Sequence, residues 1–407
     1  MVYNNFSDLK LFLLNSIETK YENIHIRKCS RNFYNYKILN IQRITFEIVK
    51  YMKILPISSD EIVSIYFKNK NYNSERLKAM EIFCFKLNGV HLSVPLGSNC
   101  SNIIVRKHSQ ESYYKTSHYD LLNKLGFVDY DSGIKSSGNR GFFLINQGVY
   151  FKMSLINYSI NYCKSLNYQP MLVPLFLKKS IMKRCVQLFD FRDQLYKIVS
   201  SGSTFFLIAT SEQSICAKLI NSSFLPHELP KRYFSCSSCF RKEAGSHGKD
   251  TRGIFRVHQF DKIEQYCVSI NKNKYADLFF EYLLHTTEDF YKALGLCYNI
   301  VQLGVNDLNN FAYKKFDIEA WFSGSKVFKE IVSCTDCYSF QAIRLCIKLK
   351  LLTQKRNFIR TFNSTLIAIE RVICCLVENY QSQHGVIVPT NLRNYFDRES
   401  YKYKIFF

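Results

Sequence analysis

The stretch SCFRKEAGSHGKDTRGIFRVHQFDKIEQ, Ser238 to Gln265, restricts the fold more than any other. It reads as two strands and a glycine-punctuated polar loop: 234–243 the first strand, 244–252 the loop, 253–268 the second. Other strand-like runs are FFLIAT and IEQYCVSI, and helical patterns fall at about 146–166, 274–294, 337–349 and 363–381. Strands in adjacent runs, not alternating with helices, point to an antiparallel sheet in an α+β domain and away from a doubly wound one.

Within GIFRVHQFDKIEQ successive side chains face opposite ways, as in any strand. If no bulge intervenes, Arg256, His258, Phe260 and Glu264 share one face, and Arg241 on the neighbouring strand adds a planar guanidinium. That set suits a nucleotide: a ring to stack on a base, guanidinium for phosphate, carboxylate for an amine or hydroxyl. A solvated, salt-bridged hairpin has the same composition. The sequence holds no GxxxxGK[ST], GxGxxG or HExxH.

The net charge of +22 over 407 residues favours a polyanionic partner, nucleic acid or an anionic membrane. No apolar run reaches the ~18 residues that cross a bilayer, so no membrane association is expected. The start MVYNNFSDLKLFLL lacks a basic leader segment. Fifteen cysteines without a small-domain spacing pattern fit a reducing compartment, and a cytoplasmic protein is expected. The pairs Cys236/Cys239 and Cys334/Cys337 have CxxC spacing but lack knuckle glycines, so no zinc is expected.

Residues 1–94 differ in texture. Helical patterns at about 32–53 and 59–87 flank Pro56, the second opening on SSDE, and together they predict a short antiparallel helical hairpin. The expected organisation is 1–94 a basic hairpin, 95–117 a linker (turn-rich GVHLSVPLGSNCSN over 89–102) and 118–407 a catalytic domain.

Five ordered blocks carry a family resemblance. FRKEAGSHGKDTRGIFRVHQFDKIEQ resembles motif 2 of the class II aminoacyl-tRNA synthetases, in detail that of eukaryotic cytosolic seryl-tRNA synthetases. NYQPMLVPLFLKKSIM (167–182) resembles motif 1, with Pro174 at its proline, and IATSEQ (208–213) the serine-binding loop. FDIEAWFSGSKVFKEIVSCTDCYSFQ (316–341) resembles the metal and ATP strand, and NSTLIAIERVICCLVENYQSQHGVIVP (363–389) motif 3, with Arg371 at its arginine.

The resemblance implies a class II antiparallel sheet flanked by helices, preceded by the hairpin. It implies serine–tRNA ligation: serine is activated with ATP and passed to the 3′ end of tRNA(Ser). The serine-binding residues it implies are Thr210, Glu212, Arg241, Glu264, Asn363 and Thr365. For ATP it implies Arg241, Glu243, Arg256, Val257, His258, Gln259, Phe260, Glu330, Ile331, Val332, Ser333 and Arg371. Arg241 is expected to bridge the α-phosphate and the serine carboxylate, Glu243 to contact the adenosine, Phe260 to stack on adenine and Arg371 to hold the γ-phosphate. Glu330 and Ser333 are expected to hold Mg²⁺, and motif 1 to form a homodimer.

The sequence also departs from the family pattern. Lys329 stands for Arg, Ile343 for the first Arg of QARR, Thr335-Asp336 for Ser-Asn and Arg360 for His. The family's long coiled-coil arm is shortened: a second helix under ~30 residues spans at most ~45 Å. Its cations Arg31, Lys37, Arg43, Lys50, Lys53, Lys68, Lys70, Arg76 and Lys78 are expected to meet tRNA phosphates. The competing reading is a non-catalytic RNA-binding or regulatory relative that kept the fold.

Overall fold

The computed structural model describes residues 88–95, 102–109, 111–114, 116–186, 193–200, 202–243, 252–350, 357–396 and 404–406. The predicted hairpin helices, all nine arm cations and most of the 244–252 loop lie outside the described residues.

The centre is an eight-stranded sheet. Its strands are β1 (Ile103–His108), β2 (Gln169–Pro170), β3 (Lys231–Phe240), β4 (Gln259–Ser269), β5 (Tyr298–Gln302), β6 (Lys314–Phe322), β7 (Val327–Asp336) and β8 (Arg360–Ala368). The spatial order is β1-β5-β6-β7-β8-β4-β3-β2. Every pairing is antiparallel except that of β2 with β3. The predicted α+β class and antiparallel sheet are therefore what the chain forms.

The helices that bear on the site are α1 (Gln147–Ser165), α2 (Glu212–Lys218), α3 (Asn273–Ala293), α4 (Phe340–Leu345) and α5 (Ile369–Asn379). On α3 the buried residues Ala276, Phe279, Phe280, Leu283, Leu284, Phe290 and Tyr291 recur at helical spacing and join one core with Ile263, Cys267, Phe362 and Ile367 of the sheet. Helix α1 reaches the same core, and Gly148 makes that possible: a Cβ there would lie 2.7 Å from the Phe127 carbonyl oxygen.

Alternation along β4 then divides the molecule. Ile263 and Cys267 point into the helical core. On the opposite face Tyr266 and Val268 are roofed by a second core with Ile208, Ala209, Ile215, Ala342 and Leu345. Phe260, Lys262 and Glu264, on that same face, run out from under the roof and floor an open cleft.

Four expectations change. The segment 363–381 is not one helix: it is the end of β8 followed by α5, because the chain through Ala368 is sheet interior, buried on both faces. The 337–349 pattern yields only α4, which stops where Cys346 turns left-handed at φ 57°. The strand read from 253 begins at Gln259, after Gly253 at φ 82° and a series of bends, so Arg256 and His258 are not in it. Residues 103–108, within the stretch read as a linker, form the edge strand β1.

Candidate active site

Arg241 follows directly on the end of β3, and two contacts fix the chain there. Its N–H donates to the His258 carbonyl at 2.9 Å, and the N–H of Phe240 donates to Ile208 at 2.8 Å. The Arg241 guanidinium lies 5.4 Å from the centre of the Phe260 ring. Its Nε is buried without a hydrogen-bond partner among the described residues. A buried guanidinium donor without an acceptor is costly, and a bound anion would satisfy it. Beyond it, Glu243 sits at φ 50° and pairs with Arg256 at 3.2 Å.

Toward the roofed end the cleft becomes a polar pocket. The Oε1 of Glu264 accepts from Thr210 and Thr365, each at 2.8 Å, and meets the ammonium of Lys262 as well. Across from it, Glu212 accepts from Gln341 at 2.6 Å and from Asn363. Glu212 and Glu264 are 3% and 1% exposed, so two carboxylates share one desolvated space. Burial first, and then the charge of Glu264, pushes Glu212 up to about 7.

Two bulges align these groups. Opposite Glu264 the pairing skips Leu366, which leaves Thr365 beside Glu264 and Asn363 on the same face. Between β6 and β7 the pairing skips Ile331, which turns both Glu330 and Ser333 to the cleft although they are three residues apart. Glu330 keeps nearly half of its side chain exposed, and what burial it has pushes its carboxyl up. Arg371, Lys315, Arg241 and Lys262 more than reverse this, so it sits below the usual carboxylate range. Arg371 donates to the Glu330 carbonyl at 3.0 Å and lies 5.0 Å from the Phe255 ring centre.

Of the residues singled out in the sequence, Thr210, Glu212, Arg241, Glu243, Arg256, Val257, Phe260, Glu264, Glu330, Ile331, Ser333, Asn363, Thr365 and Arg371 line this one cleft. Val332 is buried in the helical core instead, and the His258 ring turns back to the Arg241 carbonyl, 3.1 Å away. Gln259 is exposed and outside the lining. Arg256 and Glu264 do not share a strand face as the uninterrupted alternation required. Sequence reasoning gave no role to Lys262, Lys315, Glu370 or the loop residues Asn309 and Phe311, which also line the cleft. For Lys262 the signal was there: it is two residues from Glu264 on the same strand.

The departures are accommodated. Lys329 Nζ lies 4.8 Å from the Phe255 ring centre and 5.1 Å from that of Phe322. Beside Ile343, the retained Arg344 has its guanidinium 4.4 Å from the Phe340 ring centre. The CxxC thiols do not converge on a metal: among the described residues no group of three or more His, Cys, Asp or Glu is placed to hold one. Burial pushes Cys239 up to about 12, so it is a protonated core thiol.

The family model that matches the chain is "tRNA synthetase class II core domain (G, H, P, S and T)", over residues 196–380. A cytoplasmic serine–tRNA ligase of Arabidopsis thaliana is 41% identical over 371 residues, 87% of this chain and 82% of that protein. The cytoplasmic serine–tRNA ligase of Naegleria fowleri, solved in complex with AMP, superposes with a TM-score of 0.75 at 35% identity, covering 89% of each chain. The seryl-tRNA synthetase of Pyrococcus horikoshii, solved with ATP, gives 0.76 at 30% identity, covering 95% of this chain and 91% of that one.

Proposed function

The chain belongs to the seryl-tRNA synthetases, and from that premise we propose how its cleft divides the work of serine–tRNA ligation. In the first step a carboxylate oxygen of serine attacks the α-phosphorus of ATP, pyrophosphate leaves and seryl-adenylate forms. In the second, a terminal adenosine hydroxyl of tRNA(Ser) attacks the seryl carbonyl carbon and AMP leaves.

Arg241 holds both reacting anions. A planar fork with several fixed donors can span a carboxylate and a phosphate, which aligns the attack and stabilises the charge that builds up. Its buried, unpartnered Nε and its seat beside Phe260 support this, and Phe260 then stacks on the adenine. Arg371 takes the γ-phosphate and Glu243 the adenosine. Serine lies in the pocket of Thr210, Glu212, Glu264, Asn363 and Thr365. The observation that carries the reading is that this pocket and Arg241 open into a single cleft. A site built to bond a hydroxyl rejects the analogue lacking it by ~10⁴ or more, because its polar groups are left unpaired.

Mg²⁺ fits Glu330 and Ser333: two oxygen donors on one face, the carboxylate held ionised. When bound, it neutralises triphosphate charge. The basic N-terminal segment, residues 1–94, binds tRNA(Ser) phosphates, with 118–407 as the catalytic domain. The chain works in the cytoplasm as its named relatives do, and none of the described helices is long and apolar enough to cross a membrane. A homodimer forms through motif 1, where Leu172 (95% exposed) and Phe176 present apolar surface to solvent.

Serine-dependent ATP–pyrophosphate exchange tests the reading. Exchange with serine, and none above background with alanine or glycine, is expected. Its absence with serine would leave the non-catalytic relative as the better account.

A further inference from the structure

We propose that Lys262 is a positioning residue, the countercharge that lets Glu212 and Glu264 face one pocket while leaving a single negative charge there for a substrate ammonium. This rests on the assignment of that pocket to serine.

Lys262 is 8% exposed, on the cleft face of β4 two residues from Glu264. Its ammonium meets Glu264 Oε1 and lies 3.5 Å from Thr210 Oγ1. With Thr210 and Thr365, that gives three donors on one carboxylate oxygen and none of the three on Oε2. The side chain is thereby locked with its other oxygen free to accept from a ligand.

The charges then balance only with a guest. Two buried carboxylates in contact with the same small space repel, and burying both without compensation is prohibitive. Lys262 cancels one. The other partners of the two carboxylates, Thr210, Gln341, Asn363 and Thr365, are neutral. The other titratable groups against Glu212 are Tyr266 of β4, Cys216 of α2 and Cys337 beyond β7, and burial holds all three protonated. Arg241, Lys315, Glu330 and Arg371 lie along the phosphate end of the cleft. Burial and Glu264 push Glu212 up, and Lys262 pulls it down. A cation placed to support two carboxylates but not to neutralise them selects an amino acid in its ammonium form.

The test is the KM for serine in pyrophosphate exchange between pH 6.5 and 9, with the KM for ATP and thermal unfolding measured alongside. In K262M the one remaining negative charge is shared by two carboxylates that hold a proton between them, and Glu264 loses its lock, so the serine KM is expected to rise at least ~10-fold at pH 7, the loss lessening as pH rises and Glu212 ionises. K262R is expected to recover most of it, with the KM for ATP within about twofold throughout. The charge balance makes a sharper prediction. E264Q leaves the pocket without net charge and weakens serine; K262M/E264Q restores one negative charge and binds serine more tightly than E264Q. If K262M does not fold, K262Q and the double variant carry the same comparison. A double variant no better than E264Q, or a K262M defect equal at every pH, would overturn the countercharge role while the pocket assignment stood. E264Q with an unchanged serine KM would overturn the pocket assignment, and this inference with it.

Discussion

Arg360 and Asp336 close a buried ion pair between the ends of the neighbouring strands β8 and β7. Arg360 Nε donates to both carboxylate oxygens at 3.0 Å, and Nη2 reaches Asp277 at 2.8 Å. Its guanidinium lies 5.2 to 5.5 Å from the ring centres of Tyr313, Tyr338 and Phe362. In the sequence these two positions read as departures from the seryl-tRNA synthetase pattern, Asp for Asn and Arg for His. The two positions meet, so a charged pair stands beside Thr335, which lines the cleft.

The pair should therefore behave as a unit. Removing Arg360 leaves Asp336 an uncompensated buried charge, and removing Asp336 leaves Arg360 only the half-exposed Asp277, at a cost of ~3–5 kcal/mol. D336N and R360H should each lose about that much in denaturant unfolding, and the D336N/R360H double variant should lose clearly less than the sum. Strictly additive losses would mean the two side chains do not support each other.

The acidity of Glu212 sets a pH dependence. Pushed up to about 7, it is protonated below that pH and ionised above it. In the proposed site serine binds through its ammonium to the ionised form. The serine KM should therefore rise as pH falls from 8 to 6, by up to about tenfold per unit below pH 7. E212Q should remove the dependence. The sign for stability is opposite: a raised folded-state pKa contributes stability that is full below the ordinary carboxylate range and lost as pH rises through about 7.

How much of this was legible in the sequence differs residue by residue. Arg241, Phe260 and Glu264 could be placed because a strand's alternation and a loop's glycines are written in local pattern. The bulges at Ile331 and Leu366 were not, because a bulge depends on the partner strand's register, which no single segment encodes. Without them Glu330 and Ser333 read as facing opposite ways. The 363–381 segment misled for another reason: a strand buried on both faces loses its period-two signature and resembles a helix. Asn309 and Phe311 enter the cleft from an irregular loop that has no period at all.

Removing the Glu330 carboxylate tests the metal assignment. E330Q keeps the shape but takes away the ionised oxygen that Arg371, Lys315 and Arg241 hold in that state. Exchange by E330Q should need several-fold more Mg²⁺ for half-maximal rate than the wild type. An unchanged Mg²⁺ titration would place the ion elsewhere.

For the arm, replacing Lys68, Lys70, Arg76 and Lys78 with Gln should raise the KM for tRNA(Ser) and leave serine-dependent exchange unaltered. Every phosphate-binding cation removed should reduce the slope of log K against log salt by roughly 0.7–0.9. Charging that keeps its wild-type tRNA KM and salt dependence would show that these side chains only solubilise the N-terminal segment.

The central claim is that Arg241 joins the serine pocket to the triphosphate. Serine-dependent pyrophosphate exchange by R241A measures it most directly. A loss of at least ~10²-fold, the scale for one key electrostatic donor, is predicted, with thermal unfolding close to wild type. Exchange at near wild-type rate in R241A would contradict the account.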